Sequence, residues 1–289
     1  MGALRCEDTG SLEGTALRQI PDPVVAGPGQ VVVDVKAASV DFVDTLIAVG
    51  RDQIPIPVPS TPGNNLAGVV REVGPGCNRL AVWDRMHEMA FVAAFAELAA
   101  VNEVQLRKSP EDVPYEYACL AGVPYRTAYD ALATIAGLRP GEDLMILGDS
   151  GAVGSGAVAI GKALGARAIA CASSPAKLEF CRKTGADEAV SYSEPRFKEA
   201  LKELTGGGAD VVPDMVGGEC SEPALRAIAD FERRRPEQAA VNRDALERML
   251  ADGRITPPIT GRYRLEQAAE AMRVVAGRDK FGITILEMT

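Results

Sequence analysis

Asp143-Leu144-Met145-Ile146-Leu147-Gly148-Asp149-Ser150-Gly151-Ala152-Val153-Gly154 passes from a short apolar run into a glycine-rich turn. Ala157, Val158, Ile160, Ala163 and Leu164 then recur at helical spacing until Gly165, which suits a helix stop. The stretch therefore predicts strand, turn and helix. The same unit returns downstream, as Ala168–Ala172 with a helix over 175–184, Ala189–Tyr192 with a helix over 194–204, and Asp210–Val212 with a helix over 221–229. Consecutive strand-helix units imply a parallel sheet with right-handed crossovers, the doubly wound α/β class. Ligands of such sheets sit at the carboxyl ends of the strands.

The turn itself bears on the ligand. A GxGxxG fingerprint ending at Gly154 needs glycines at 149, 151 and 154, and position 149 is Asp. Gly151 allows close backbone approach to a pyrophosphate, Gly154 allows close helix packing, and the first helical N–H groups, from Ala152 and Val153 onward, face the phosphate. The plain alternative is an ordinary βα connection, and a carboxylate at Asp149 repels a pyrophosphate unless it points away. The end of the next strand separates the dinucleotides. An NAD site places Asp or Glu there for the ribose hydroxyls, whereas this chain has Ala172-Ser173-Ser174-Pro175-Ala176-Lys177. Small hydroxyls and a lysine suit a 2′-phosphate, so NADPH is favoured. Ser173 or Ser174 also reads as a helix N-cap, a role compatible with phosphate contact.

Outward from this core the pattern changes. Upstream, Val31–Lys36 and Ala67–Val73 read as strands bounded by Pro and Gly, with the alternating prolines of Gln53–Pro59 as a surface loop between them. Residues 89–101 are apolar and Ala-rich, equally readable as strand or helix. Downstream, Phe231–Ala251 is charged and amphipathic, 265–276 reads as helix, and Ile283–Leu286 as a final strand returning to the first domain. The length of 289 residues suits two domains.

Composition excludes several function classes. With one histidine, His87, multi-His metal centres cannot be built, and any histidine acid/base scheme must run through that residue. His87 itself reads as a surface or partly packed residue. Thirty-one basic against 40 acidic residues give a net charge of −9, which argues against nucleic acid or an anionic membrane as partner. The cysteines form no CxxC pair, no apolar run reaches membrane-spanning length, and the chain reads as a cytoplasmic protein with reduced thiols.

Taken together, the motifs resemble the medium-chain dehydrogenase/reductase superfamily, and within it the zinc-free quinone oxidoreductases related to zeta-crystallin. Those motifs are Val35–Phe42 with Asp44, Pro62-Gly63, Ala67–Val70, Val73-Gly74, Asp84-Arg85, Val123–Tyr129, Gly141–Lys162, Lys177, Gly185–Asp187 and Gly217-Gly218. The resemblance implies a GroES-like β-rich catalytic domain from 1–118 and 254–289, around a Rossmann-type domain at 119–253. It further implies hydride transfer from NADPH to a quinone or an activated alkene such as an enone. A non-catalytic, NADPH-binding or partner-binding descendant is the alternative class.

By motif position, Thr127 and Tyr125 would lie by the nicotinamide, and Tyr192, Lys177 and Ser173 by the adenosine phosphate. Asp41 stands where the family usually has Asn, and an ionised Asp cannot donate a hydrogen bond. The plain alternatives are a core aromatic at 125 and a solvated loop acid at 41. Zinc-dependent relatives carry a Cys near 41 and a Gly-His-Glu motif on 63–65; here the residues are Asp41 and Gly63-Asn64-Asn65, so no zinc is expected. The family continues past the helix at 221–229 into two further strands. This chain passes almost directly from Ile228 to Phe231, so the Rossmann sheet is expected to lack its last strands, and with them the edge through which relatives commonly form homodimers.

Overall fold

The computed structural model describes residues 1–23, 27–90, 93–148, 150–191, 203–205, 209–216, 236–277 and 281–288. Two compact units result, Met1–Val123 with Ile259–Thr289, and Pro124–Pro258. Both junctions fall slightly later than the sequence places them. At the first junction, the Val123 N–H donates to Asn65 Oδ1 and the Gly122 backbone lies against the same side chain, which keeps this turn with the first unit.

In chain order the first unit holds β1 (Gly2–Cys6), β2 (Thr15–Gln19), β3 (Gln30–Ser39), α1 (Phe42–Ala48), β4 (Asn65–Val73), β5 (Arg85–Met89), β6 (Leu98–Asn102), β7 (Arg107–Lys108) and α2 (Tyr115–Ala118). The second holds α3 (Pro124–Tyr129), β8 (Asp143–Leu147), α4 (Ala152–Ala163), β9 (Arg167–Ala172), α5 (Pro175–Lys183), β10 (Glu188–Ser191) and the helix Pro236–Ala251. The chain then returns to the first unit with β11 (Ile259–Arg264), the helix Ala268–Ala276 and β12 (Ile283–Glu287).

β3 organises the first unit. Along one edge it pairs antiparallel with β4; along the other, Gln30–Asp34 pair with β6 and Ala37–Ser39 with β12. Val31, Val32, Val33 and Val35 are all buried, so the strand is covered on both faces, and this explains its unbroken apolar run. Gly68 of β4 is where a side chain would strike the Asp34 carbonyl, so only glycine lets the two strands meet there. Ala268, Ala271, Met272 and Val275, spaced on one helical stripe, close the core. The ambiguous 89–101 stretch resolves in part as β6, because its pairing with β3 satisfies the backbone. Gln53–Pro59 is irregular and largely exposed, as its prolines require. The β1–β2 hairpin and β11 carry no strong periodicity, and long-range pairing decides them.

In the second unit β10, β9 and β8 pair parallel in that order. Parallel bridges Leu144↔Val211 and Leu147↔Asp214 place the next segment on the other edge of β8. The sheet therefore grows from β8 in both directions, and the strand order reverses there, the place where doubly wound sheets bind ligands. α4 packs on β8 and β9, and its Ala157, Val158 and Ile160 are buried, as are the apolar residues at the centres of both strands. Of the expected helices, 221–229, most of 194–204 and the Phe231–Arg235 stretch lie outside the described residues, as does the expected loss of strands after about 230.

Candidate active site

The glycine turn is built at the reversal of strand order. Gly148 has φ +82°, a conformation glycine adopts without steric cost. Its N–H donates to the Cys171 carbonyl at 3.1 Å, and a Cβ on it would lie 3.3 Å from Val216 Cγ2. The tight-turn glycine is thus Gly148, one residue before the position the fingerprint assigns, and Asp149 lies outside the described residues. The fingerprint's failure at Asp149, with a glycine immediately before it, was the available signal.

Gly151 is the N-cap of α4. Among the described residues a Cβ there would meet nothing within 4 Å except the Gly148 carbonyl at 3.7 Å. No side chain among the described residues caps the helix, and no acidic residue occupies its first turn. The amide groups of Ala152, Val153 and Gly154, which have no acceptor within the helix, are left at a positive helix end. Gly154 is buried, as a packing glycine should be, while Gly161, a turn and more later, is the residue that lets α4 settle on Leu144.

At the end of β9, Ser174 is the N-cap of α5, its Oγ accepting from the Lys177 N–H at 3.4 Å. This settles the N-cap between the two serines, since Ser173 precedes the cap and is exposed. Pro175 occupies the first turn, where its missing N–H costs nothing. Lys177 is partly exposed in that same turn, and no carboxylate side chain stands between Ala172 and Lys177. Tyr192 lies outside the described residues.

Tyr125 and Thr127 stand on α3. Tyr125 is fully buried, its ring against Gly156, where a Cβ would lie 3.3 Å from Tyr125 Cδ2. Thr127 is half-buried. These two residues belong to the second unit with Gly151, Ser173, Ser174 and Lys177, whereas Asp41 belongs to the first.

Asp41 is 5% exposed, which overturns the solvated-acid alternative. Its Oδ2 accepts from Ser39 Oγ at 2.8 Å and from Asn65 Nδ2 at 2.6 Å. Its backbone N–H donates to Asp44 Oδ2 at 2.8 Å, which fixes the start of α1. Asp44 has no exposed surface, and burial first, then the neighbouring Asp41 charge, push its carboxyl well above the usual range. Burial and the same Asp41 charge also raise the Cys119 thiol. In the sequence Asn65 stands only as a departure from the zinc-binding motif, because a single amide in a strand carries no local signature of what it will hold. His87, expected at the surface or partly packed, is 2% exposed on β5, with Nδ1 2.8 Å from Ser109 Oγ. Pairing of β5 with β4 and β7 on either side buries it.

Comparison with known proteins accords with this fold. Residues 27–111 match the alcohol dehydrogenase GroES-like domain family and residues 152–233 the zinc-binding dehydrogenase family. A quinone oxidoreductase-like protein 2 of Rattus norvegicus is 33% identical over 211 residues, 72% of this chain. The match spans 60% of that relative's length. A probable oxidoreductase of Mycobacterium abscessus superposes with a TM-score of 0.90 at 30% identity, covering 99% of this chain and 98% of the other. An Escherichia coli quinone oxidoreductase solved with NADPH has the same fold, with a TM-score of 0.87 at 23% identity over 99% of this chain and 100% of the other. Among the described residues no helix is long and apolar enough to cross a membrane. With an alcohol dehydrogenase-like β unit joined to a parallel sheet that keeps the glycine turn at its reversal point, the chain belongs to the quinone oxidoreductase branch of the medium-chain dehydrogenase/reductase superfamily.

Proposed function

We propose that this chain is an NADPH-dependent oxidoreductase that works without zinc and passes hydride to a quinone or to the β-carbon of an activated alkene. The observation that carries the reading is the start of α4 at Gly151, uncapped by any side chain among the described residues and with no acid in its first turn, at the reversal of strand order. Such a helix end fits a pyrophosphate. NADPH, when bound, supplies the hydride, and the protein supplies position.

In this reading Gly151, Ala152, Val153 and Gly154 hold the pyrophosphate through backbone N–H groups. Lys177 and Ser173 face the 2′-phosphate, Tyr192 stands by the same end, and Ser174 caps the helix that presents Lys177. Thr127 lies by the nicotinamide, and Tyr125 supports it from within the core. Asp41, engaged by Ser39 and Asn65, acts by positioning and not by touching substrate. Zinc is unnecessary, and Asp41, Asn64 and Asn65 are not the Cys, His and Glu that would hold it. A reduced cytoplasmic setting suits the five free thiols among the described residues.

The test is a calorimetric titration with NADPH and with NADH, followed by cofactor oxidation against a panel of quinones and enones. Tighter NADPH binding with turnover is expected. No binding and no oxidation would overturn the reading, and saturable binding without oxidation on any acceptor would favour the non-catalytic descendant, consistent with Asp41 standing in place of Asn.

A further inference from the structure

Asp41 and Asn65 belong to a chain of hydrogen bonds that ends where the first unit ends. Asn65 is wholly buried at the start of β4. Its Nδ2 donates to Asp41 Oδ2 at 2.6 Å, and its Oδ1 accepts from the Val123 N–H at 2.9 Å. A Cβ on Gly122 would collide with that same Oδ1, so glycine is what lets the chain pass so close to the amide. Val123 is the last residue of the first unit, and Pro124 opens α3, which carries Thr127 three residues further on.

The polarity of the arrangement has one solution. A backbone N–H can only donate, so Val123 obliges Asn65 to turn its carbonyl oxygen toward it. The amide nitrogen then faces position 41 and needs a buried acceptor, which the Asp41 carboxylate supplies. Ser39, whose hydroxyl can donate or accept, completes the acceptor's shell. Residues before proline are already confined to extended conformations, so with its N–H anchored Val123 itself has little freedom.

We propose that Asp41 orients Asn65 and that Asn65 is a positioning residue, clasping Val123 and so holding the backbone from which Pro124 starts α3, the helix that carries Thr127. The catalytic part of this rests on the reductase reading above. The clasp itself does not, and can be read without turnover.

Asn65→Asp keeps an acceptor for Val123 but sets two carboxylates face to face, whereas Asp41→Asn alone can still offer a carbonyl oxygen. The double variant Asp41→Asn/Asn65→Asp restores a donor-acceptor pair with the roles exchanged. Amide hydrogen exchange in the full chain should show the Val123 N–H protected in the parent, deprotected in Asn65→Ala and Asn65→Asp, and protected again in the double variant. If the parent turns over NADPH, kcat in Asn65→Asp should fall on the order of tenfold to a hundredfold, with the NADPH dissociation constant unchanged and kcat recovered in the double variant. A double variant no better than Asn65→Asp in either measurement, or an unprotected Val123 amide in the parent, would overturn the proposal. Unchanged kcat in a folded Asn65→Asp with Val123 deprotected would overturn its catalytic part. A parent without turnover on any acceptor fails the reductase reading and leaves the exchange result to decide the clasp.

Discussion

Gly161 of α4 lies directly against Leu144 of β8, so close that a Cβ at 161 would overlap Leu144 Cδ2. Leu144 is itself wholly buried and bridges toward Val211, so it has little room to move aside. Gly161→Ala should therefore destabilise the second unit by about 1–3 kcal/mol, despite alanine's better helix propensity. Urea unfolding followed by far-ultraviolet circular dichroism checks this, and an unchanged or raised midpoint would refute the close-packing account.

Glu103, buried between β6 and β7, gathers the N–H groups of Asn78, Arg79 and Leu80 at 3.1, 2.7 and 2.7 Å. Burial pushes its carboxyl up, but these bonds outweigh it and hold it below the usual range. A depressed carboxyl contributes stability that is present above its unfolded value, roughly 4.3, and is lost as pH falls through the folded value. Glu103→Gln should cost about 1–3 kcal/mol at neutral pH and lessen the acid-side fall in melting temperature. An unaltered acid limb would count against this clasp.

Asp44 has the opposite sign. Its carboxyl is raised by burial and by Asp41, so its contribution is complete below the unfolded value, roughly 3.9, and is lost as pH rises through the folded value. Asp44→Asn keeps an oxygen for the Asp41 N–H and has no charge to bury. Melting temperature against pH should become flatter toward neutral pH in this variant, and a steeper decline would contradict the assignment.

Lys177 sits in the first turn of α5, with Ser174 as cap. Lys177→Ala should weaken NADPH by about tenfold or more while leaving NADH nearly unchanged, as expected for loss of one charge-assisted contact. Equal loss for both cofactors would refute contact with the 2′-phosphate. Ser174→Ala should instead cost about 1 kcal/mol of stability through the lost cap.

Trp83, the only tryptophan of the chain, is 82% exposed and held at φ +75°. The Trp83 N–H donates to the Val70 carbonyl at 2.9 Å, and Asp84 closes the same turn by accepting from the Ala81 N–H at 2.7 Å. Native fluorescence should resemble indole in water and be strongly quenched by acrylamide. A blue-shifted, protected emission would show this surface covered in solution.

The contrast between the glycine turn and the Asp41 network shows what could be read from sequence. Asp143–Leu147, the turn and the helix after it are neighbours along the chain, so hydrophobic period and glycine placement carry the whole unit, and its repetition predicts a parallel sheet. The resemblance then supplied the β-rich unit. Even here the turn glycine stands one residue before the fingerprint position, and the segment that lies against it, at Met215 and Val216, is far along the chain. Asp41 illustrates the other regime. Its burial depends on Asn65, 24 positions away, and Asn65 in turn meets Val123, 58 positions further on. His87 likewise became a core residue through strands on both sides of β5. By itself the sequence determined the strand-turn-helix units at β8 and β9 and the glycine-rich turn between the first pair, since these depend on residue type and local spacing. Tertiary structure alone decided which polar groups are buried and what they hold, because hydrogen bonds between distant residues exist only once the chain has folded around them.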